Sequence, residues 1–147
     1  MKKYHQMQSK SSVEKIDVLK RRASRIKKIR KYFEKQNVLE VDTPILSEKA
    51  VSDIHIESIS ATVNNKQNFL QTSPEFCMKR ILAMCSADIY QICKVFRDHE
   101  KGSLHSPEFT MVEWYRMNFT LQDIINDTCQ LISLLLTNNQ NKLIRDA

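Results

Sequence analysis

Hydrophobic residues recur at intervals of three or four in two long stretches, one near each end of the chain. In residues 17–36 these apolar side chains are Leu19, Ala23, Ile26, Ile29 and Phe33. The second stretch begins with a capping-box sequence at residues 120–123. Its apolar residues are Leu121, Ile124, Ile125, Leu131, Ile132 and Leu135. The spacing predicts two amphipathic helices, each with one buried stripe. Residues 1–15 are polar and unpatterned, which predicts a flexible tail ahead of a folded domain over residues 16–147.

Between these helices, short runs of β-branched and aromatic residues predict strands. The runs occupy residues 38–41, 54–63, 69–71, 88–97 and 107–119. The polar residues 64–68 predict a turn that joins the second and third runs as an antiparallel hairpin. Residues 72–75 (TSPE) predict the start of another helix, with a hydroxyl N-cap and a proline in the first turn. The fold class predicted is α+β, built on an antiparallel sheet.

The composition excludes several classes of protein. Gly102 is the one glycine in 147 residues, so a P-loop and a GxGxxG dinucleotide site are absent. The four cysteines are at least eight residues apart and the histidines are scattered, so no metal site is predicted. No apolar run approaches the ~20 residues that a membrane span requires, and the first residues lack a secretory pattern. We therefore expect no membrane association and a cytoplasmic location.

The positive charge of the chain is concentrated in one predicted helix. The formal net charge is +6, and nine basic residues lie within residues 20–35. The outer face of the first helix is therefore strongly basic. A solvated helix face and a surface that contacts nucleic acid or phosphate groups both fit this pattern.

Two charged residues occupy unusual places in the predicted strands. Because side chains two residues apart on a strand share a face, Glu113 lies beside Phe109, Met111 and Tyr115 on one face of the last strand. Arg97 ends the preceding strand. Burial of either charge without a partner would be costly, so we expect each to be paired, solvated or bound to a ligand.

The last two strands and their connection, FRDHEKGSLHSPEFTMVEWY (residues 96–115), resemble motif 2 of class II aminoacyl-tRNA synthetases in its lysine-type form. Residues 22–46, ending LEVDTPIL, resemble motif 1, in which the matching proline, here Pro44, lies at a dimer interface. VSDIHIES (residues 51–58) and QTSPEFCMKRIL (residues 71–82) are similar to short bacterial lysyl-tRNA synthetase paralogues that modify elongation factor P. The resemblance covers about residues 19–120.

The resemblance implies a class II synthetase sheet flanked by helices and an ATP-dependent activation of lysine to an adenylate. Arg97 matches the catalytic arginine that grips the α-phosphate of ATP, a task suited to a planar guanidinium. Glu113 and Tyr115 match the residues that receive the side-chain ammonium of lysine or β-lysine. The further matches are Ser73, Pro74 and Glu75 for the amino-acid substrate and Asp98, His99, Glu100 and Ser106 for ATP. Mg²⁺ is expected with ATP, and a homodimer through motif 1.

This sequence also departs from the family pattern. The motif 2 run is Arg97-Asp98-His99-Glu100, with the acid one place later than usual, and Ser106 replaces an asparagine. Motif 3, which is glycine-rich and holds the γ-phosphate, has no match. With no anticodon-binding domain ahead of motif 1, tRNA is not expected as a partner and elongation factor P is the expected acceptor. The sequence therefore predicts an incomplete, truncated or split copy that does not activate amino acids alone. The alternative is a non-catalytic module for dimerisation or for binding RNA or protein.

Overall fold

The computed structural model describes residues 12–99, 102 and 105–136. These form two compact units, one made of the described residues within Met1–Gln36 and Phe119–Ala147 and the other of those within Asn37–Asn118. The described part contains three helices and six strands, in the order α1 (Ser12–Glu34), β1 (Leu39–Glu40), β2 (Leu46–Ser47), β3 (Ser60–Val63), β4 (Lys66–Leu70), α2 (Glu75–Met84), β5 (Ile89–Phe96), β6 (Glu108–Tyr115) and α3 (Leu121–Leu135). No described helix is long and apolar enough to span a membrane.

The first unit pairs α1 with α3, the two helices that hydrophobic spacing predicts. The predicted stripe is buried at Ile29, Phe33 and Leu131, but Leu19 is 64% exposed. Helix α3 has 15 residues and α1 has 23, so at 1.5 Å per residue α3 cannot cover the whole of α1. A hydrogen bond from the Tyr32 hydroxyl to the backbone oxygen of Asp127, 3.1 Å long, joins the two helices.

Helix α1 begins at Ser12, five residues earlier than the sequence predicts, and it ends two residues earlier. Asn37 follows in the left-handed region at φ 55, a conformation that asparagine tolerates and that helix ends commonly adopt. Residues 12–15 of the predicted tail therefore belong to the helix. The remainder of that tail, residues 1–11, lies outside the described residues, and the domain boundary at residue 16 stays a prediction.

The predicted capping box at the start of α3 is confirmed. The backbone N–H of Asp123 donates to Thr120 Oγ1 at 3.2 Å, and the backbone N–H of Thr120 donates to Asp123 Oδ2 at 2.9 Å. Two N–H groups at the helix end thereby gain acceptors, which fixes the position at which the helix begins.

Replacing Thr120 by alanine is expected to lower the free energy of unfolding by about 1 kcal/mol, because the Asp123 N–H loses its acceptor. Urea denaturation followed by circular dichroism measures this change. Gln130→Ala, at an exposed position of the same helix, is the control and should change stability by less than ~0.5 kcal/mol. Equal stability of the two variants would show that the capping box contributes nothing.

The second unit contains two three-stranded sheets, ordered β1-β5-β6 and β2-β4-β3. β5 and β6 are antiparallel over their whole length, with Gln91 opposite Glu113 and Val95 opposite Phe109. β1, however, runs parallel to β5, so the sheet predicted as antiparallel contains one parallel pair. The long segment between β1 and β5 carries the chain back to the same end of the sheet, which a parallel pair requires.

The hairpin of the second sheet is confirmed, but its turn is tighter than predicted. Val63 pairs with Lys66, so the turn consists of Asn64 and Asn65 alone. Both have positive φ, at 51 and 61, as the favoured two-residue hairpin turn requires. The strand before the turn begins at Ser60 rather than at residue 54, and Ile54 is 90% exposed. β2, which pairs with the end of β4, has no counterpart in the prediction.

Two further boundaries differ from the sequence prediction. The N-cap of α2 is Pro74, without a side-chain cap hydrogen bond, so the predicted hydroxyl cap is wrong. Ser73 still accepts a hydrogen bond from the backbone N–H of Glu75, at 3.4 Å. β6 ends at Tyr115 rather than at residue 119, and a turn with Asn118 at φ 60 follows.

Candidate functional site

The Asn37–Asn118 unit contains an open cavity of about 670 Å³. Its walls come from β6, from Arg97 directly after β5, from the start of α2 and from the segment before β3. Of the predicted site residues, those that line it are Arg97, Glu113, Tyr115, Ser73 and Glu75. Arg97, Glu113 and Tyr115 therefore share one hollow. Their roles toward a ligand stay predictions.

Arg97 follows directly after β5, where its backbone N–H still donates to the Pro107 oxygen at 2.9 Å. Its Nε donates to the backbone oxygen of Thr72 at 3.4 Å, and its guanidinium carbon lies 5.2 Å from the centroid of the Phe109 ring. A cation over an aromatic face is attracted by the ring's negative charge density. These contacts orient the guanidinium within the cavity wall, where it can bind an anion.

Glu113 and Tyr115 are neighbours on one face of β6, as their spacing predicts. The Tyr115 hydroxyl donates to Glu113 Oε1 at 2.8 Å, and both side chains are half-buried. The pair therefore presents oxygen atoms with net negative charge to the cavity. Such a pair suits a protonated amine, which carries only donors and one positive charge.

The environment of this pair changes the proton affinity of both groups. Burial raises the pKa of Glu113 above its ordinary value, and the nearby Glu75 raises that pKa further, whereas the hydrogen bond from Tyr115 lowers it. Burial, together with the hydrogen bond to Glu113, raises the pKa of Tyr115. Tyr115 therefore remains a hydrogen-bond donor at neutral pH. A bound cation would stabilise the Glu113 carboxylate and would offset part of the energetic cost of burying its charge.

Glu75 and Ser73 lie at the start of α2, on a second wall of the cavity. Glu75 forms an ion pair with Lys79, one helical turn later, with 2.6 Å between Oε1 and Nζ. Both side chains are about half exposed, so the pair is screened by solvent. Pro74, predicted with them as a substrate contact, is buried and does not line the cavity. The structure thus places two of these three residues at the site.

The predicted ATP contacts beyond Arg97 are not gathered in this cavity. Asp98 and His99 line a separate hollow of about 400 Å³, where His99 Nδ1 lies 2.5 Å from Glu57 Oε2. Ser106 is exposed and does not line the main cavity, and Glu100 lies outside the described residues. Their assignment to ATP stays a prediction. Pro44, the predicted dimer contact, is exposed.

The same unit contains a buried polar layer that was not predicted from the sequence. It includes Gln91, 1% exposed, whose Oε1 accepts from Thr43 Oγ1 at 3.0 Å, and Gln71, whose Nε2 donates to the Lys94 backbone oxygen at 2.9 Å. Burial, and then the charge of Glu113, raises the pKa of Cys93 to about 11, so its thiol stays protonated. Gln91 could have been singled out from the sequence, because it is a polar residue at an inward position of a largely apolar strand.

The described residues contain no group of three histidine, cysteine, aspartate or glutamate side chains that could hold a metal ion. Arg97 supplies positive charge at the cavity without a metal. A nucleotide phosphate therefore fits the charge of this wall.

Comparison with known proteins identifies relatives over most of the chain. The family model of class II tRNA synthetases (D, K and N) matches residues 2–145. The elongation factor P (R)-β-lysine ligase of Mannheimia succiniciproducens is 46% identical over 127 residues, and that of Avibacterium paragallinarum is 45% identical over 127 residues. Each alignment covers 82% of this chain and 39% of the relative. The chain thus spans well under half the length of these relatives.

A solved structure supports the fold. The crystal structure of asparaginyl-tRNA synthetase from Pyrococcus horikoshii, complexed with asparaginyl-adenylate, matches with a TM-score of 0.72 at 21% identity. The match covers 80% of this chain and 27% of that chain. The α+β fold is therefore part of a class II synthetase catalytic fold, as the resemblance implies.

Proposed function

Because the chain belongs to the class II tRNA synthetase family (D, K and N), we propose that its Asn37–Asn118 unit carries the amino-acid and α-phosphate subsites of an ATP-dependent lysine-type ligase. The observation that carries the proposal is that Arg97, Glu113 and Tyr115 line one cavity. A cation site at Glu113 and Tyr115 and an anion site at Arg97 in the same hollow match a substrate that has a side-chain ammonium and a carboxylate able to react with the α-phosphate of ATP. Lysine and (R)-β-lysine both have this form.

In the proposed complex, Glu113 and Tyr115 receive the side-chain ammonium of the substrate. The half-buried carboxylate supplies charge, and the phenol oxygen supplies a further acceptor. An uncharged amino acid of similar length would leave Glu113 desolvated without a cation, so the site discriminates against it. Ser73 and Glu75, at the start of α2, are the further proposed contacts of the substrate.

The proposed reaction begins when a carboxylate oxygen of the substrate attacks the α-phosphorus of ATP. A new O–P bond forms, the bond between the α- and β-phosphates breaks, and pyrophosphate leaves with the electron pair. Arg97 offsets the negative charge that builds on the α-phosphate oxygens, and its contacts with Phe109 and Thr72 hold it in place beforehand.

We propose that elongation factor P accepts the activated group, because the relatives are named for ligation of (R)-β-lysine to elongation factor P. Transfer to elongation factor P rather than to tRNA, and a homodimer through the segment that contains Pro44, belong to the same proposal.

Analytical ultracentrifugation tests the dimer: a species of twice the mass of the 17.3 kDa chain is expected at micromolar concentration.

We further propose that this chain, which spans 39% of those relatives, binds substrate but does not complete adenylate formation alone. Lysine-dependent exchange of pyrophosphate into ATP tests this. The chain alone should show none, and a polypeptide supplying the remaining part of the Mannheimia relative should restore it. Exchange by the chain alone would contradict inactivity, and failure to bind both lysine and ATP would contradict the subsites.

The raised pKa of Glu113 gives a prediction for pH dependence. The site binds an ammonium when Glu113 is ionised, so lysine affinity should be constant above the pKa of Glu113 and fall as the pH drops through it. Because burial places this pKa above the ordinary 4.5, the loss should begin at higher pH than for an exposed carboxyl. Isothermal titration calorimetry between pH 4 and 8 measures it. A pH-independent affinity would contradict the role of Glu113.

A second candidate function rests on helix α1, whose basic side chains within residues 20–35 are all exposed. This surface fits an RNA-binding module derived from a synthetase, because arrayed cations release counterions from a phosphate backbone. It predicts RNA affinity that falls steeply with salt. Fluorescence anisotropy with single-stranded RNA at increasing salt tests it, and affinity for lysine or ATP without affinity for RNA would reject it.

A further inference from the structure

The main cavity carries more negative than positive charge. Three carboxylates line it, those of Asp53, Glu75 and Glu113, whereas Arg97 is the one cation among its described lining residues. Lysine and (R)-β-lysine each carry two ammonium groups, and the proposed function assigns Glu113 to the side-chain ammonium alone. The amino group near the substrate carboxylate therefore needs a carboxylate of its own, and Asp53 and Glu75 are the two candidates.

Glu75 is already paired and lies close enough to Glu113 to act on its charge. Its Oε1 is 2.6 Å from Lys79 Nζ. The charges of Glu75 and Lys79 both influence the ionisation of Glu113, so this ion pair stands near the place proposed for the side-chain ammonium. Because Lys79 offsets the charge of Glu75, that carboxylate attracts a further cation only weakly.

Asp53 lies in the segment before β3, where a turn fixes its backbone and one of its carboxylate oxygens. Oδ1 accepts a hydrogen bond from the backbone N–H of His55 at 2.8 Å, and the backbone oxygen accepts from the N–H of Ile56 at 3.4 Å. The side chain is exposed and forms no ion pair with a described residue. Oδ2 therefore remains available to a ligand, with negative charge that no described cation offsets in an ion pair.

The segment that contains Asp53 is joined to the chain directly after Arg97. The backbone N–H of Asp98 donates to the Glu57 oxygen at 2.9 Å. Asp53 lines both the main cavity and the separate hollow that Asp98 lines, so it stands on the side of the cavity nearest to this junction. In the proposed reaction the substrate carboxylate reacts with the phosphate held by Arg97, and the amino group lies close to that carboxylate in the carbon chain.

We propose that Asp53 is a specificity-determining residue, which receives the amino group near the substrate carboxylate while Glu113 and Tyr115 receive the side-chain ammonium. Each ammonium then has its own carboxylate, so the cavity selects a diamino acid over a ligand that carries either ammonium alone. This inference rests on the proposed function and adds a second point of recognition to it.

Asp53→Asn removes the charge but keeps an oxygen for the His55 N–H, because asparagine supports the same turn. Isothermal titration calorimetry at pH 7.5 compares lysine with 6-aminohexanoate, which lacks the amino group near its carboxylate. Asp53→Asn should weaken lysine binding about tenfold and leave 6-aminohexanoate affinity within about twofold. Asp42→Asn, at an exposed position that does not line the main cavity, is the matched control and should leave both affinities within about twofold.

Two further variants separate Asp53 from Glu75. Asp53→Glu keeps the charge, so it should recover part of the lysine affinity that Asp53→Asn loses. Glu75→Gln should change the affinities for lysine and 6-aminohexanoate by the same factor. A loss of lysine affinity in Glu75→Gln that 6-aminohexanoate does not share would assign the amino group to Glu75 and overturn the inference.

The response of Asp53→Asn to the two ligands decides the inference. An equal loss of affinity for lysine and 6-aminohexanoate, or no loss for either, would overturn it. If Glu113→Gln nevertheless loses lysine affinity, the proposed function stands without Asp53. If the natural chain binds neither ligand, the proposed function itself is wrong, and the inference fails with it.

Discussion

Replacing Glu113 by glutamine is expected to lower the affinity of the chain for lysine about 100-fold. The substitution preserves shape and removes the negative charge, so the substrate ammonium would be desolvated beside a neutral amide. Loss of one partner from a partly buried, hydrogen-bonded charge pair commonly costs about 2–5 kcal/mol, and 2.8 kcal/mol corresponds to 100-fold. Isothermal titration calorimetry with lysine at pH 7.5 gives the measurement.

The same strand offers a matched control for this prediction. Glu108 lies on β6, forms an exposed ion pair with Lys94 and does not line the cavity. Glu108→Gln should change lysine affinity by less than twofold, because exposed ion pairs contribute little. Norleucine, which lacks the side-chain ammonium, should bind weakly to the natural chain and should gain relative to lysine in Glu113→Gln. Equal lysine affinity in the two variants would show that Glu113 does not receive the ammonium.

Replacing Arg97 by lysine is expected to lower the affinity for ATP by roughly 10- to 100-fold. The ammonium keeps the charge but lacks the planar fork that binds two phosphate oxygens, and it loses much of the contact with the Phe109 ring. A charge-assisted hydrogen bond contributes about 1.5–3 kcal/mol, which sets this range. Equilibrium dialysis with labelled ATP measures the affinity, and Arg97→Met should reduce it further.

Arg80 provides the control for Arg97. It lies on the exposed side of α2 and does not line the main cavity, so Arg80→Lys should leave ATP affinity within twofold. If Arg97→Lys and Arg80→Lys lose affinity equally, the effect is one of net charge and not of the cavity. If neither changes it, the phosphate contact assigned to Arg97 is wrong, while the amino-acid subsite at Glu113 remains a separate question.

Much of the second unit follows from local pattern in the sequence. Alternation of faces placed Glu113 with Tyr115 on one side of β6, since this depends only on the two-residue repeat of a strand. The hairpin at Asn64 was predictable because a polar segment lies between two apolar runs, but the length of its turn was not. Its two positive φ values depend on the register with β4, which spacing alone does not specify.

Other features depend on contacts between residues distant in the chain. Ile54 and Ile56 have the composition of a strand, yet no described strand pairs with them and Ile54 is 90% exposed. The parallel pairing of β1 with β5 joins Leu39 to Ile89, and sequence gives no local signal for such a partner. The predicted ATP contacts Asp98 and His99 lie at a different hollow from Arg97, although they directly follow it. Arg97 and its two successors line different hollows because β5 ends at Phe96, so the chain changes direction directly after the strand.

By itself the sequence determined the position of the main helices and strands and the common face of Glu113 and Tyr115, because these depend on residue type and short-range repeat. The resemblance of its motifs indicated the family and the candidate residues Arg97, Glu113 and Tyr115. The tertiary structure alone decided which strands pair, how deeply each polar group is buried, and that Gln91 stands opposite Glu113. These depend on which distant segments exclude water from one another. The pKa of Glu113 is raised for the same reason, since burial is a property of the packed sheet and not of the residue.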